Sequence, residues 1–109
     1  MTSEKYSTCI DACNACADAC DHCSVACLGE PGVANLGRCI RLDMDCAALC
    51  RLAAGFMSRD SEHASSICRA CAELCDACAQ ECEKHDHDHC RQCAQACRDC
   101  AAACRDMAA

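Results

Sequence analysis

The 109-residue sequence is short of large apolar side chains. Leu, Ile, Val and Phe together account for 12 residues, and Trp is absent. A charged chain with so few of them is expected to stay disordered unless another side chain fills its interior. An ordinary aliphatic core is therefore excluded. The abundant residues are 22 alanines and 19 cysteines, and since free cysteine packs as a small hydrophobic residue, sulfur is the candidate core material.

Three further absences narrow the class of protein. Basic residues are scarce, with 10 Lys and Arg against 17 Asp and Glu, and a net charge of −7 argues against a nucleic-acid partner. No run of 18 apolar residues occurs, so the sequence predicts no membrane-spanning helix and no membrane partner. The first residues lack a basic segment followed by an apolar one, so we expect no secretory signal and a cytosolic protein with reduced thiols.

The cysteines recur at alternating steps of three and four residues. This a/d spacing places a stripe of residues on one face of a helix, so four stripes predict four helices. Asp43 lies on the second stripe, four residues after Cys39 and three before Cys46. The stripes comprise Cys9, Cys13, Cys16, Cys20, Cys23 and Cys27; Cys39, Cys46 and Cys50; Cys68, Cys71, Cys75, Cys78 and Cys82; and Cys90, Cys93, Cys97, Cys100 and Cys104.

Helix caps and helix breakers divide the chain into the same four segments. Gly29 and Pro31 end the first helix, because Gly suits the position after a helix and Pro cannot continue one. Short connections make neighbouring helices antiparallel, which predicts an all-α fold, an up-down-up-down four-helix bundle with a Cys-lined core, as a single domain over 1–109. The second, third and fourth helices are predicted at about 33–57, 61–84 and 88–106. The candidate N-terminal caps are Thr2 or Ser3, Asp60 or Ser61, and Asp86 or Asp88.

Metal binding explains the stripes better than packing or disulfides do. From Cys75 onward the only large apolar residue is Met107, although each buried CH₂ of a Leu or Ile would contribute about 0.8 kcal/mol. Disulfide pairing would leave one of 19 thiols over, and disulfide scaffolds are usually secreted and loop-rich. Thiolates are soft ligands that select Cu(I), Zn(II) or iron–sulfur clusters.

Charge favours Cu(I) among these metals. Several Zn(Cys)₄ sites, each with a formal charge of −2, would fill a dry core with uncompensated charge. About one Cu(I) per cysteine leaves the core neutral, which predicts on the order of 15–20 ions per chain. Sulfurs four residues apart on one helix also lie close enough to share an ion. The pairs are Cys9/Cys13, Cys16/Cys20, Cys23/Cys27, Cys46/Cys50, Cys71/Cys75, Cys78/Cys82, Cys93/Cys97 and Cys100/Cys104.

The two ends of the predicted bundle differ in polarity. At the end that carries the 29–32 and 85–89 connections, His85 and His89 continue the stripes and Asp43 lies nearby. Neutral imidazole is a good copper ligand, so this end is the predicted mouth through which copper enters and leaves. The opposite end is a predicted apolar plug, formed by Tyr6, Phe56, Met57, Ala64 and Met107.

Some roles at the mouth stay open from sequence alone. A ligand role is favoured for His85 and His89, whereas for His87 a ligand and a solvated turn are equally good interpretations. Asp43 is either a ligand or gate, or a polar core residue paired with Arg38 or Arg41. The remaining histidines, His22 and His63, lie off the stripes and are predicted at the surface.

At these residues the sequence resembles the cytosolic branch of the bacterial copper storage proteins, which are four-helix-bundle Cu(I) binders. The resemblance spans the chain and rests on the four stripes, on Cys39-Ile-Arg-Leu-Asp43 and on Lys84-His-Asp-His-Asp-His-Cys90. It implies a homotetramer of bundles, many Cu(I) ions stored along each core, and a histidine-lined mouth.

The predicted function is cytosolic storage and detoxification of Cu(I) without catalysis. Candidate partners are a copper chaperone or a copper-requiring acceptor. Within metal binding, the alternative is Zn or Cd sequestration by a helical metallothionein-like protein. A thiol redox protein is an alternative from another class, although it would need a distinctive low-pKa thiol or a discrete cluster motif that the uniform stripes do not offer.

Overall fold

The computed structural model describes residues 3–108, which form four long helices around one axis. The helices are α1 (Ser3–Leu28), α2 (Gly37–Ser58), α3 (Ala64–Cys82) and α4 (Asp88–Ala108). Each packs against its two neighbours in a closed ring, α1 against α2 and α4, and α3 against α2 and α4. The bundle measures 47 × 19 × 18 Å, and the described residues include no strand. The predicted all-α four-helix bundle is confirmed.

The connection before α2 differs from its prediction. Residues predicted as the start of a helix form a separate 3₁₀ turn, Val33–Leu36, and the α-helix begins at Gly37. This turn forms because the backbone amides of Val33 and Asn35 donate to carbonyl groups three residues earlier, at Glu30 and Gly32. Leu36 then packs into the core and closes this side of the bundle.

The predicted caps of α3 are wrong. The helix begins at Ala64, and the preceding His63 makes no side-chain cap hydrogen bond. Asp60 has a left-handed backbone (φ 53°), and the Ser61 hydroxyl accepts a hydrogen bond from the His63 amide within the connection. The predicted cap of α4 at Asp86 or Asp88 is not confirmed, because Asp88 is already the first helical residue and Asp86 lies two residues before it. Of the candidates for α1, Thr2 lies outside the described residues, and Ser3 is already the first helical residue.

Sulfur fills the core of the bundle, as predicted. All 19 cysteines are buried and free, and no cysteine side chain is more than 2% exposed. Alanines such as Ala17, Ala53 and Ala79 are buried between the stripes. Because Cys and Ala are both small, the four helices approach closely enough to keep the cross-section narrow.

The apolar plug also forms at the predicted end. Tyr6, Met57 and Ala64 are buried there, and Phe56 and Met107 are half-buried. Met57 is the bulkiest fully buried side chain among those that the structure describes, so this end of the bundle is closed by hydrocarbon.

The outer faces of the helices are charged and exchange ion pairs. Arg51 of α2 reaches Asp18 and Asp21 of α1, and Asp76 of α3 pairs with Arg98 and Arg105 of α4. Such exposed pairs contribute at most about 1 kcal/mol each. Within residues 3–108, every helix is too short or too polar to span a lipid bilayer.

We expect the reduced, metal-free protein to be folded, with Met57 contributing to its stability. Met57→Ala should lower the free energy of unfolding by about 2–5 kcal/mol because it opens a cavity in the plug. Gln92→Ala, at an exposed position on α4, is the control and should change it by no more than about 0.5 kcal/mol. Urea unfolding followed by circular dichroism measures both. A random-coil spectrum without metal, or equal losses in the two variants, would contradict this prediction.

Candidate metal centre

The thiols of the four stripes meet across the bundle axis. The shortest Sγ–Sγ separations join different helices, at 3.6 Å for Cys16–Cys97 and also for Cys46–Cys75. They lie far beyond the roughly 2.05 Å of a disulfide bond, so the sulfurs are in non-bonded contact. Each helix therefore contributes ligand atoms to a continuous column of sulfur.

Within this column the sulfurs form sets of four with all ligand atoms within 4.8 Å of one another. Around an ion about 2.3 Å from four sulfurs, the sulfurs would lie about 3.8 Å apart, so these sets need little movement to coordinate metal. Four cysteines each belong to two of the five sets given below, so metal ions in adjacent sets would share bridging thiolates: Cys16, Cys20, Cys46 and Cys97. Five of the sets are Cys13/Cys71/Cys100/Cys104, Cys16/Cys46/Cys50/Cys75, Cys16/Cys20/Cys46/Cys97, Cys20/Cys78/Cys93/Cys97 and Cys23/Cys27/Cys39/Cys90.

Pairs on one helix account for only part of this arrangement. Four of the eight predicted pairs have sulfurs 3.8–4.0 Å apart: Cys23/Cys27, Cys46/Cys50, Cys71/Cys75 and Cys100/Cys104. The shorter cross-helix contacts depend on how the helices are aligned along the axis, which the spacing within one stripe does not determine.

Burial keeps several of these thiols protonated in the empty core. It raises the pKa of Cys27 to about 11 and that of Cys68 to about 12. The pKa of Cys90 is raised for the same reason. A neutral thiol can pack in a dry interior, whereas an isolated thiolate could not. Metal binding at these positions must therefore displace protons.

Asp43 lies inside this sulfur column. Its Oδ1 accepts hydrogen bonds from the thiols of Cys78 at 3.2 Å and Cys93 at 3.3 Å. Burial, together with the negative charge that Cys93 and Cys78 can carry, raises the pKa of the Asp43 carboxyl to about 10. The carboxyl group is therefore neutral in the metal-free core at neutral pH.

The alternative that pairs Asp43 with an arginine is wrong. Arg38 instead donates from Nε to the Glu81 carboxylate at 3.1 Å, and the side chain of Arg41 is exposed. Asp43 is fully buried, and the thiols around it supply the hydrogen bonds that its oxygens accept.

The three histidines of the 85–89 connection differ in how closely they approach the thiols. Nδ1 of His89 lies 3.7 Å from Sγ of Cys23, 3.8 Å from Cys27 and 3.6 Å from Cys90. The His87 ring stacks on the His89 ring, with centroids 5.2 Å apart, and is the most exposed of the three. His85 is largely buried and bonds through Nε2 to Glu81 at 2.9 Å. His22 and His63 are exposed, as predicted.

Two carboxylates at the mouth were not found from the sequence. Glu81 is 6% exposed and accepts hydrogen bonds from Arg38 and His85, and the bond from His85 holds its pKa below the usual range. Glu30 accepts a hydrogen bond from His89, which likewise lowers its pKa. The spacing of Glu81 and His85, four residues apart, is a signal that could have indicated their contact. Glu30 and His89 are distant in sequence, so only the fold brings them together.

Comparison with known proteins identifies close relatives over the whole chain. The family model "Csp: Copper storage protein" matches residues 2–109. A Bacillus subtilis protein described as "Uncharacterized cysteine-rich protein YhjQ" is 52% identical over 71 residues, a segment that covers 64% of this chain and 66% of that protein.

Solved structures share the fold as well as the sequence. The Cu(I)-bound copper storage protein BsCsp3 is 50% identical, with a TM-score of 0.91 over 100% of both chains. A cytosolic copper storage protein from Streptomyces lividans, solved with five coppers, is 44% identical, with a TM-score of 0.93 over 98% of this chain and 94% of its own. Because a family model matches nearly every residue and these relatives share the fold throughout, the chain belongs to the copper storage protein family.

Proposed function

We propose that this protein stores many Cu(I) ions along its core in the cytosol and thereby limits copper toxicity. The observation that carries the proposal is the column of 19 buried free thiols, whose groups of four share members. A discrete zinc site would use one local set of four cysteines, whereas shared members suit bridged, polynuclear Cu(I) thiolates. The cytosolic location is also that of the Streptomyces relative.

The charges inside the bundle favour Cu(I) over Zn(II). Among the side chains that the structure describes, the buried carboxyl groups are those of Asp43 and Glu81, and these are the buried residues of the Asp, Glu, Lys and Arg types. No buried Lys or Arg in that part of the chain is available to compensate thiolate charge. The cargo must therefore carry the compensating charge itself, and one Cu(I) per thiolate does so whereas Zn(Cys)₄ leaves −2 at each site.

We propose that residues 1–109 form one Cu(I)-binding domain that carries out no catalytic step. The thiols are enclosed by the helices that carry them, and all 19 are buried. We further propose a homotetramer, following the family resemblance, and exchange of copper with a chaperone or a copper-requiring acceptor. Large exposed side chains on α1 and α2, such as Val25, Leu28, Met44 and Leu52, support the presence of an interface on that side.

The proposed ligands are the 19 cysteines, with His85, His87 and His89 taking part at the mouth. His89 supports this role most directly because its Nδ1 already faces three thiols. Asp43 lies on α2, deeper in the thiol column than the mouth histidines. It is proposed as a ligand or gate because its carboxyl group contacts thiols of three helices.

Anaerobic titration of the reduced protein should show uptake of on the order of 15–20 Cu(I) per chain. Zn(II) uptake should stop at about four ions, because each zinc uses four thiolates. Uptake should release protons and weaken as the pH falls, since burial raises the pKa of thiols such as Cys27 and Cys68. Competition with a chromophoric chelator at several pH values measures this. Saturation at four or five Cu(I), or tighter binding of Zn(II), would refute the proposal.

Replacing His85, His87 and His89 together by alanine should slow Cu(I) transfer from a chelator more than it lowers the final capacity. We expect the transfer rate to fall by at least about tenfold. This is the lower end of the losses typically seen when residues around a metal site are replaced. The double variant of His22→Ala and His63→Ala, at exposed positions away from the thiols, is the matched control. Stopped-flow absorbance gives the rate and end-point titration the capacity. An unchanged rate with fewer ions bound would contradict a role in entry.

Asp43→Asn should flatten the pH dependence of the metal-free protein's stability. The folded-state pKa of about 10 exceeds the unfolded value of about 3.9, so the folded state binds more protons and stability falls as the pH rises between them. Between pH 5 and 7.5, below the usual pKa of a free thiol, the free energy of unfolding is plotted against pH for both proteins. The slopes of wild type and Asp43→Asn should differ by up to about 1.4 kcal/mol per pH unit. Urea unfolding at each pH measures it, with Asp45→Asn, at an exposed position, as control. Equal pH slopes in wild type and Asp43→Asn would disprove a neutral Asp43.

A further inference from the structure

The imidazole of His89 is held between a carboxylate on one side and thiols on the other. Its Nε2 lies 2.9 Å from Oε2 of Glu30. Its Nδ1 lies 3.6 Å from the sulfur of Cys90 and 3.7 Å from that of Cys23. The His89 side chain is only 13% exposed, so these neighbours, rather than water, determine its hydrogen bonding.

This contact selects the tautomer of His89. An ionised carboxylate can only accept hydrogen bonds, so the nitrogen that faces Glu30 must carry the proton. In a neutral imidazole the other nitrogen then has a free lone pair, and that nitrogen is Nδ1, the one beside the thiols. The opposite tautomer would place the Nε2 lone pair against the Glu30 carboxylate and lose this hydrogen bond.

Glu30 is itself held in place by the chain around it. Its backbone amide donates to the Cys27 carbonyl at 3.1 Å, which ties the Glu30 backbone to the last turn of α1, where one of the mouth thiols lies. Its Oε2 also lies 3.5 Å from Nδ1 of His87, whose ring is nearly parallel to that of His89, at 5°. One carboxylate, in the connection that follows α1, therefore contacts the His87 ring just before α4 and the His89 ring within it.

We propose that Glu30 is a positioning residue for copper entry: it holds Nε2–H of His89 so that Nδ1 presents its lone pair to an ion approaching Cys23, Cys27 and Cys90. The inference rests on the proposed function, because it assumes that Cu(I) is the cargo that enters here. Carboxylates that orient a ligating histidine in this way are a general feature of metal sites. Their loss typically weakens metal affinity or activity by about 10- to 100-fold.

The tautomer can be tested without any metal. Long-range ¹H–¹⁵N spectra of the reduced protein, taken where the imidazoles are neutral, should show His89 protonated at Nε2. Glu30→Gln, which keeps the shape but can donate as well as accept, should give a mixture of tautomers. Asp86→Asn is the matched control, since it removes the same charge from the mouth but its carboxylate pairs with Arg91. A wild-type His89 protonated at Nδ1, or an unchanged tautomer in Glu30→Gln, would overturn the proposal.

The consequence for entry is tested by stopped-flow transfer of Cu(I) from a chelator. Glu30→Gln should be about tenfold slower than wild type, while the final number of ions bound and the helical content stay unchanged. Asp86→Asn should match wild type, which separates orientation from simple loss of negative charge.

A double-mutant cycle shows whether Glu30 acts through His89. In the His89→Ala background, Glu30→Gln should have no further effect on the transfer rate, because the group that it orients is gone. A rate loss that persists in that background would assign the effect to His87 or to charge and overturn the proposal. If wild type itself takes up no Cu(I), the proposed storage function fails, while the tautomer measurement still decides the role of Glu30 toward His89.

Discussion

The balance of charge inside a dry core is the constraint on which the rest of the structure depends. Nineteen thiols share an interior in which, among the described side chains, the buried residues of the Asp, Glu, Lys and Arg types are the acids Asp43 and Glu81. Without a buried cation, each ionised thiol adds uncompensated negative charge to the core, and at Cys27, Cys68 and Cys90 burial raises the pKa and so favours the neutral thiol. A filled core must replace those protons with other positive charge, which is the physical basis for proposing a monovalent soft metal as cargo.

The bundle is divided along its axis into a column of thiols, an apolar plug and a polar mouth. Cys and Ala are small, so the helices pack closely along the column without aliphatic side chains. Met57, Tyr6 and Ala64 close one end with hydrocarbon, which offers a metal ion no ligands. At the other end the polar residues are paired with one another: His85 with Glu81, and His89 with Glu30. Imidazole nitrogen next to thiol is then available at this end alone among the described residues.

Asp43 shows how a polar group is tolerated inside such a core. Its pKa is raised well above neutral pH, so its carboxyl group is uncharged there. It accepts hydrogen bonds from thiols of α3 and α4 and needs no arginine partner. It occupies a stripe position that would otherwise hold sulfur, so it interrupts the column on α2 just inside the mouth. This is the physical ground for giving it a ligand or gate role in the proposed function.

The sequence by itself determined the four helices, their inward stripes and the polarity of the two ends. The reason is that cysteines spaced three and four residues apart all fall on one face of a helix. It also placed Asp43, His85 and His89 on the stripes. Only the tertiary structure decided which sulfurs meet, since cross-helix contacts such as Cys16–Cys97 depend on the axial alignment of two helices. It also rejected the arginine partner of Asp43 and brought Glu30 to His89 across 59 residues of chain. Local periodicity encodes a face of a helix, whereas contacts between helices arise from packing the whole bundle.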